Sequence, residues 1–378
     1  MKRRAKTSLF KKLLYTLVAV VLTWLFVEAE ILVWLWVTPP EERVNTDWRT
    51  LYKPHPNLAF AGVPNRMDRL KACSANSFGL RGPQIAPAKP PDTVRIICLG
   101  GSTTYSVGAT SNSTTWPARM ERLLREQYRN APFRVEVVNA GIPGYTSIES
   151  LVQLETQLLD LSPDVAVISQ GINDCWFMLS MFDFQSDYTH ARRTFTLPQR
   201  KLWEWSPLLA LLFAKNSMTN PYFPVAEVNL NEMVITCPEI LTHPERVRHG
   251  PLEERMAAVF ERNTRSLVSV ARANGAIPVL STQSYQDDTP SKGYWTPAMN
   301  RLNAVTLEVA AREAVDVIDF ARLFPWNPVD FADKCHLWDS PGGLGRQAEL
   351  FARGLIERRV IERAWEARSK RREAGGRK

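Results

Sequence analysis

The stretch TVRIICLGGSTT, residues 93–104, decides the fold. A short, apolar, β-branched run ends at Gly100-Gly101, and Ser102 follows where a helix is about to begin, so the pattern is strand, tight turn, helix. The segments that follow repeat it. WPARMERLLREQY (116–128) sets Met120, Leu123, Leu124 and Tyr128 on one helical face, with Pro117 in its first turn. FRVEVVN (133–139) is a second strand. Thr146 and Glu149 form a capping box ahead of Leu151, Leu154 and Leu158, and DVAVISQ (164–170) is a third strand ending at Gly171. A helix from Leu252 to Asn274, stopped by Gly275, leads to IPVLST (277–282) as the fourth strand. A helix from Ala298 to Glu313 leads to VDVID (315–319) as the fifth, and a last helix starts at Ser340, with Pro341 in its first turn, and runs into a basic tail. Strands alternating with helices predict a parallel sheet covered on both faces.

The chain has 378 residues, 45% apolar and 23% charged, enough to bury a full core and too apolar for a disordered chain. Its 18 Gly and 26 Pro follow no period, and five Cys are too few for a disulfide-built scaffold. The net charge of +8 is confined to the ends. Residues 1–12 carry six basic groups and no acid, and from Glu357 to the end nine basic residues face four acidic ones. The body between them is mildly acidic, which argues against nucleic acid as a partner. The basic C-terminal segment (367–378) reads as a solvated tail.

After the basic head (1–12), residues 13–37 read as a transmembrane signal anchor. Leu13 to Val27 is uncharged, and ILVWLWV resumes after Glu28 and Glu30. Twenty-five helical residues reach ~37 Å, enough to cross ~30 Å of hydrocarbon. The short uncharged run places Glu28 and Glu30 at the far interface, beside Trp24, Trp34 and Trp36. Basic residues before the span keep the N-terminus cytoplasmic, so the expected location is the cell membrane, single-pass, with the remaining chain extracytoplasmic. Cleavage near Val27-Glu28-Ala29 and a buried core helix are the competing readings. Residues 38–92 form a Pro-rich linker and 93–366 the main domain. Within it, 176–250 breaks the alternation and reads as an insertion, either a lid or membrane-resting surface or a separate mini-core.

Reactive groups in an open parallel sheet collect at the carboxyl ends of the strands. Gly100-Gly101-Ser102-Thr103 follows strand one and exposes a hydroxyl beside its own N–H at a helix start. Asn139-Ala140-Gly141-Ile142-Pro143-Gly144 follows strand two, and Gly171-Ile172-Asn173-Asp174 follows strand three. Beyond strand five, Asp333 and His336 stand three apart. Each pattern alone is weak; together they supply a nucleophile, oxyanion donors, a base and an acid to orient it.

In these blocks the sequence resembles the SGNH, or GDSL-type, hydrolase superfamily from about Thr93 to the final helix, with Gly-Gly-Ser-Thr standing for the family's Gly-Asp-Ser-Leu. The resemblance implies a three-layer α/β/α fold with a flavodoxin-like parallel sheet of about five strands. It implies Ser102 as nucleophile, His336 as base, Asp333 as orienting acid, and an oxyanion hole from the N–H groups of Ser102 and Gly144 and the side chain of Asn173. Asp339, three residues after His336, is a lower-ranked substitute orienter.

The expected function is a membrane-anchored serine esterase. It would cleave an acetyl or other short acyl ester of an envelope glycan or lipid through an acyl-Ser102 intermediate. Transfer of the acyl group to a sugar hydroxyl, or a catalytically silent module binding envelope polymers, are the alternatives. No cofactor is expected, and no His/Cys/Asp cluster shows metal-ligand spacing. His55, His190, His243 and His249 read as surface or packing residues. Cys98 reads as a buried strand residue, while Cys175 and Cys335 each neighbour a proposed catalytic block, and a disulfide would join them if those blocks meet.

Overall fold

The computed structural model describes residues 9–37, 52–53, 55–66, 74–180, 184–190, 206, 208–209, 250–286 and 293–375. The basic head before Leu9, part of the linker, and most of the 176–250 insertion, with Trp203, Trp205, His243 and His249, lie outside the described residues.

Strand β1 (Thr93–Gly100) is buried along its whole length. With β2 (Arg134–Asn139), β3 (Val165–Ser169), β4 (Ile277–Ser281) and β5 (Asp316–Ile318) it forms one sheet in the order β2-β1-β3-β4-β5. Every pairing is parallel, in the register Ile96↔Val137, Cys98↔Val167, Val167↔Val279 and Leu280↔Val317. The sheet is therefore the five-strand parallel sheet expected.

Because strand side chains alternate, each strand feeds two cores. Val94, Ile96 and Cys98 pack with Trp116, Met120, Phe351 and Leu355, whereas Ile97 and Leu99 pack with Phe260, Leu267, Leu302 and Val305. Helices α3 (Trp116–Gln127), α8 (Arg346–Glu357) and α9 (Val360–Gly375) cover the first face. Helices α4 (Ser147–Gln153), α6 (Glu254–Ala273) and α7 (Trp295–Arg312) cover the second. Pro278 sits in the interior of the sheet at no cost to the ladder. Ile277 donates to Asp164 O on the β3 side, so the missing Pro278 N–H faces β5, whose pairing starts only at Val279.

Local signals set most boundaries. Gly275, at φ 80°, ends α6 with the bonds Ala276 N to Ala271 O and Gly275 N to Arg272 O, a Schellman motif. Thr146 and Glu149 cap α4 reciprocally. The last helix departs from the single rod expected from Ser340. Ser340 does cap the segment, accepting from Gly343 N at 2.8 Å, but Pro341–Gly345 is distorted and α8 starts only at Arg346. A second break falls at Arg359, whose φ is 51°, before α9. Nor is the basic end merely solvated. Arg368 donates to Pro90 O at 3.0 Å, Arg371 to Gly275 O at 2.9 Å and Arg372 to Pro91 O at 3.1 Å.

At the other end, α1 spans Leu9–Val37, so Lys11 and Lys12 lie inside the helix rather than before it. Its stretch Leu9–Trp34 is long and apolar enough to cross a membrane. Most of its large apolar side chains are exposed, which sets it apart from a core helix. Glu28 in this helix accepts from Ser206 Oγ and, at 3.3 Å, from Leu208 N. The first part of the expected insertion packs on the domain. The rings of Trp176 and Trp295 pack at a tilt with centroids 5.1 Å apart, and Phe177, Phe184 and Tyr188 join the second core.

Candidate active site

Helix α2 (Ser102–Tyr105) is a single turn at the carboxyl end of β1, and it presents Ser102 at its N-terminus. The two preceding glycines are needed for a reason other than backbone freedom. Gly101 has φ −88°, which any residue can adopt. A Cβ there, however, would lie 2.4 Å from Asn173 Nδ2, and one at Gly100 would lie 2.0 Å from Thr104 Oγ1. Close approach of neighbouring loops, not a left-handed turn, excludes side chains at both positions.

His336 and Asp333 reach the same rim from the segment after β5. His336 Nε2 lies 2.7 Å from Ser102 Oγ, and Nδ1 lies 2.7 Å from Asp333 Oδ2. Asp333 Oδ1 accepts from the backbone N–H of Cys335 (2.8 Å) and His336 (2.7 Å), so a single turn fixes both acid and ring. Trp326 Nε1 donates to Asp333 O at 2.8 Å and anchors that turn. In the neutral ring, Nδ1, which faces a carboxylate, carries the proton and Nε2 is left to accept from the hydroxyl.

Burial pushes the Asp333 carboxyl upward, but the His336 ring and the two backbone donors prevail and hold it down at about 2. Burial likewise disfavours a charged His336, yet the Cys335 sulfur and the Asp333 carboxylate outweigh it, raising the ring well above its ordinary 6.5. Burial also pushes the Cys335 thiol up, so near neutral pH it is uncharged and Asp333 supplies the field on the imidazole.

Asp339, the substitute orienter, is committed elsewhere. It accepts from Thr110 N at 2.8 Å, from Thr110 Oγ1, and from Arg119 Nη2 at 2.5 Å.

The two other blocks meet beside Ser102. Tyr145 N bonds Ile142 O at 3.1 Å, closing a turn with Pro143 and Gly144 at its centre, and Gly144 has φ 81°. That is the position where a turn of this type requires glycine. Asn173, in the first turn of α5 (Ile172–Ser180), donates from Nδ2 to Tyr145 O at 2.8 Å, which aims its amide across Gly101. Asp174 turns the opposite way and is fully buried. It accepts from Ser147 N at 3.1 Å and Tyr188 OH at 2.9 Å, locking α5 to the start of α4. Burial raises the Asp174 carboxyl against the pull of these donors.

Cys175 and Cys335 are both free, against the disulfide considered from their neighbouring blocks. Cys335 instead contacts the ring, with Sγ 3.6 Å from His336 Nδ1. Ligand atoms of Asp333, Cys335 and His336 lie within 4.8 Å of one another, a cluster that sequence spacing did not suggest. Both ring nitrogens, however, already face Asp333 and Ser102.

Two supporting residues escaped the sequence reading. Gln283, just past β4, donates to Thr103 Oγ1 at 3.2 Å and to Ser169 O at 3.2 Å, and accepts from Ile172 N at 3.0 Å. It thereby ties the Ser102 turn to the loop bearing Asn173. The signal was available, since β4 was the one strand whose carboxyl end went unread. Arg81, in the stretch taken as linker, lies beneath the Ser102 turn, and no periodicity announces it.

A sequence profile of the GDSL-like lipase/acylhydrolase family matches residues 98–340. Among solved structures, the lipase/acylhydrolase of Enterococcus faecalis is similar at 18% identity and TM-score 0.41, covering 70% of this chain and 96% of that one. A lipolytic protein of the G-D-S-L family from Desulfitobacterium hafniense DCB-2 is similar at 14% identity and TM-score 0.41, covering 69% and 99%. A variant of Axe2, an acetyl xylan esterase from Geobacillus stearothermophilus, is similar at 17% identity and TM-score 0.40, covering 73% and 97%. Among curated proteins none matches.

Proposed function

The chain belongs to the GDSL-like lipase/acylhydrolase family and is a serine hydrolase, and on that premise we propose that Ser102, His336 and Asp333 form its catalytic triad. The reading is carried by one observation, the continuous path from Ser102 Oγ to His336 Nε2 (2.7 Å) and from Nδ1 to Asp333 (2.7 Å).

In this mechanism His336 Nε2 takes the Ser102 proton as Oγ attacks the ester carbonyl. The oxyanion is held by the N–H groups of Ser102 and Gly144 and by the Asn173 side chain, donors of a kind each worth ~3 kcal/mol of barrier. His336 then protonates the departing alcohol, leaving acyl-Ser102. It next deprotonates a water, whose attack releases the carboxylic acid and restores the serine. Asp333 holds the ring's tautomer and balances its charge throughout.

The substrate in this proposal is an acetyl or other short acyl ester on an envelope glycan or lipid. Support for the location comes from α1, exposed and apolar over Leu9–Trp34, and from the six basic residues and no acid in residues 1–12. The N-terminus then faces the cytoplasm and the hydrolase domain lies outside it. Retention of the full-length chain in carbonate-washed membranes tests the anchor, and release would defeat it.

Reaction with a fluorophosphonate probe followed by peptide mapping tests the site. Label on the Ser102 peptide, absent in a folded Ser102→Ala variant, is expected; label elsewhere would refute the assignment. A p-nitrophenyl ester series then reads acyl length. Adding a sugar acceptor during turnover separates hydrolysis from acyl transfer.

A further inference from the structure

The turn carrying Ser102 cannot hold its own shape. Helix α2 has four residues and closes on Ser106, a non-glycine residue at φ 62°. A single turn is below the length at which a helix persists unaided. The carbonyls at its end face a buried guanidinium, that of Arg81, which is 3% exposed. Arg81 Nη1 donates to Tyr105 O at 3.1 Å and Ser106 O at 2.8 Å. Its Nη2 donates to Ala109 O at 3.2 Å and Ser111 O at 3.4 Å, and its Nε to Asn112 Oδ1 at 3.2 Å. The guanidinium also lies 4.7 Å from the centre of the Tyr105 ring.

Arg81 is itself held. Its backbone pairs with Ala75 and with Asn139 at the end of β2. Asn76 Oδ1 accepts from Phe78 N (2.9 Å) and Leu80 N (3.2 Å), and Leu80 is buried in the core. The fork is thus aimed by a hydrogen-bonded loop and ties together the chain from Tyr105 to Asn112 behind Ser102. Its planar array of five N–H donors suits such scattered carbonyls, whereas an ammonium group has three donors at one point.

We propose that Arg81 is a positioning residue, fixing the Ser102 turn so that Oγ stays in line with His336 and the Ser102 N–H stays on the oxyanion. The proposal rests on Ser102 being the nucleophile. It also makes residues 74–82 a working part of the hydrolase domain rather than linker.

The test uses the full-length protein in detergent, with Arg81→Lys, Arg81→Ala and Ser102→Ala variants. Three quantities are measured: the fluorophosphonate labelling rate, kcat and KM for p-nitrophenyl acetate, and the thermal unfolding midpoint. Arg81→Lys should lower labelling rate and kcat by ~100-fold, the scale of a small misplacement of a reacting group, with KM nearly unchanged and the midpoint lowered but still well above the assay temperature. Guanidinium ion at non-denaturing concentration, but not ammonium, should restore rate to Arg81→Ala. Wild-type labelling rate in Arg81→Lys would overturn the proposal. So would a loss of rate that only follows loss of folded protein; should Arg81→Ala fail to fold, Arg81→Lys decides. Wild-type protein left unlabelled at Ser102 would instead defeat the nucleophile assignment.

Discussion

The imidazole of His336 lies 2.7 Å from the hydroxyl of Ser102, although 234 positions separate them along the chain. Parallel strands place both residues at one edge of the sheet: Ser102 follows β1 directly, and His336 lies in the segment beyond β5.

The carboxylate at His336 Nδ1 is that of Asp333. Asp333→Asn should cut kcat by about 10⁴-fold by removing the group that sets the tautomer. Asp339→Asn should leave kcat near wild type while lowering stability by ~1–3 kcal/mol, because the Thr110 and Arg119 donors lose a carboxylate. Steady-state kinetics and urea unfolding on the same preparations separate the two roles; equal kinetic losses would contradict them.

The base must be neutral to act, so kcat/KM should rise with pH. Since His336 is raised above 6.5, the midpoint of that rise should lie above 6.5. Asp333→Asn removes the charge that favours the imidazolium and should move the midpoint to lower pH, on a much lower plateau. The same shifts act on folding. Asp333, held at about 2, adds stability that is present above 3.8 and lost as pH falls toward 2. His336 adds stability that is full below 6.5 and lost as pH rises through its raised value. A pH–rate profile and urea midpoints across the range check both.

Gly101→Ala should impair turnover. Its Cβ would press within 2.4 Å of Asn173 Nδ2 and displace the amide from the oxyanion side. Asn173→Ala should lower kcat by ~10²–10³-fold and leave KM nearly unchanged, since its bond forms with the developing charge. Combining the two substitutions should cost little more than either alone. Additive losses would show that Gly101 acts by another route.

Deleting residues 367–378 should lower the unfolding free energy by ~1–3 kcal/mol, read as a lower urea midpoint, because the Arg368, Arg371 and Arg372 bonds to Pro90, Gly275 and Pro91 disappear. A midpoint unchanged by the deletion would mean that these residues are only solvated.

Much of the sheet was legible because its signals are local. The run at 93–100 is apolar and β-branched, and Gly275 and the Thr146–Glu149 box mark boundaries within a few residues of the event. The break at Arg359 gave no such signal, since arginine carries no preference for φ 51° and packing of α8 and α9 imposes it. The tight turn at Gly100-Gly101 was legible, but the atoms that leave no room for a side chain there include Ser169 O and Asn173 Nδ2, which arrive from other parts of the fold.

Strand and helix periods, together with the polar groups that follow each strand, depend on neighbours a few residues away. The sequence by itself therefore determined the fold class and nominated Ser102, Gly144, Asn173, Asp333 and His336. It ranked Asp333 above Asp339 as the acid beside His336, although each stands three residues from the ring and spacing alone is blind to direction. The folded chain sent Thr110 and Arg119 to the Asp339 carboxylate and the imidazole to Asp333. It likewise carried Arg81 beneath the serine turn and Gln283 across to Thr103. Such partners are set by where a single packed core brings distant segments together, and no local repeat encodes that distance.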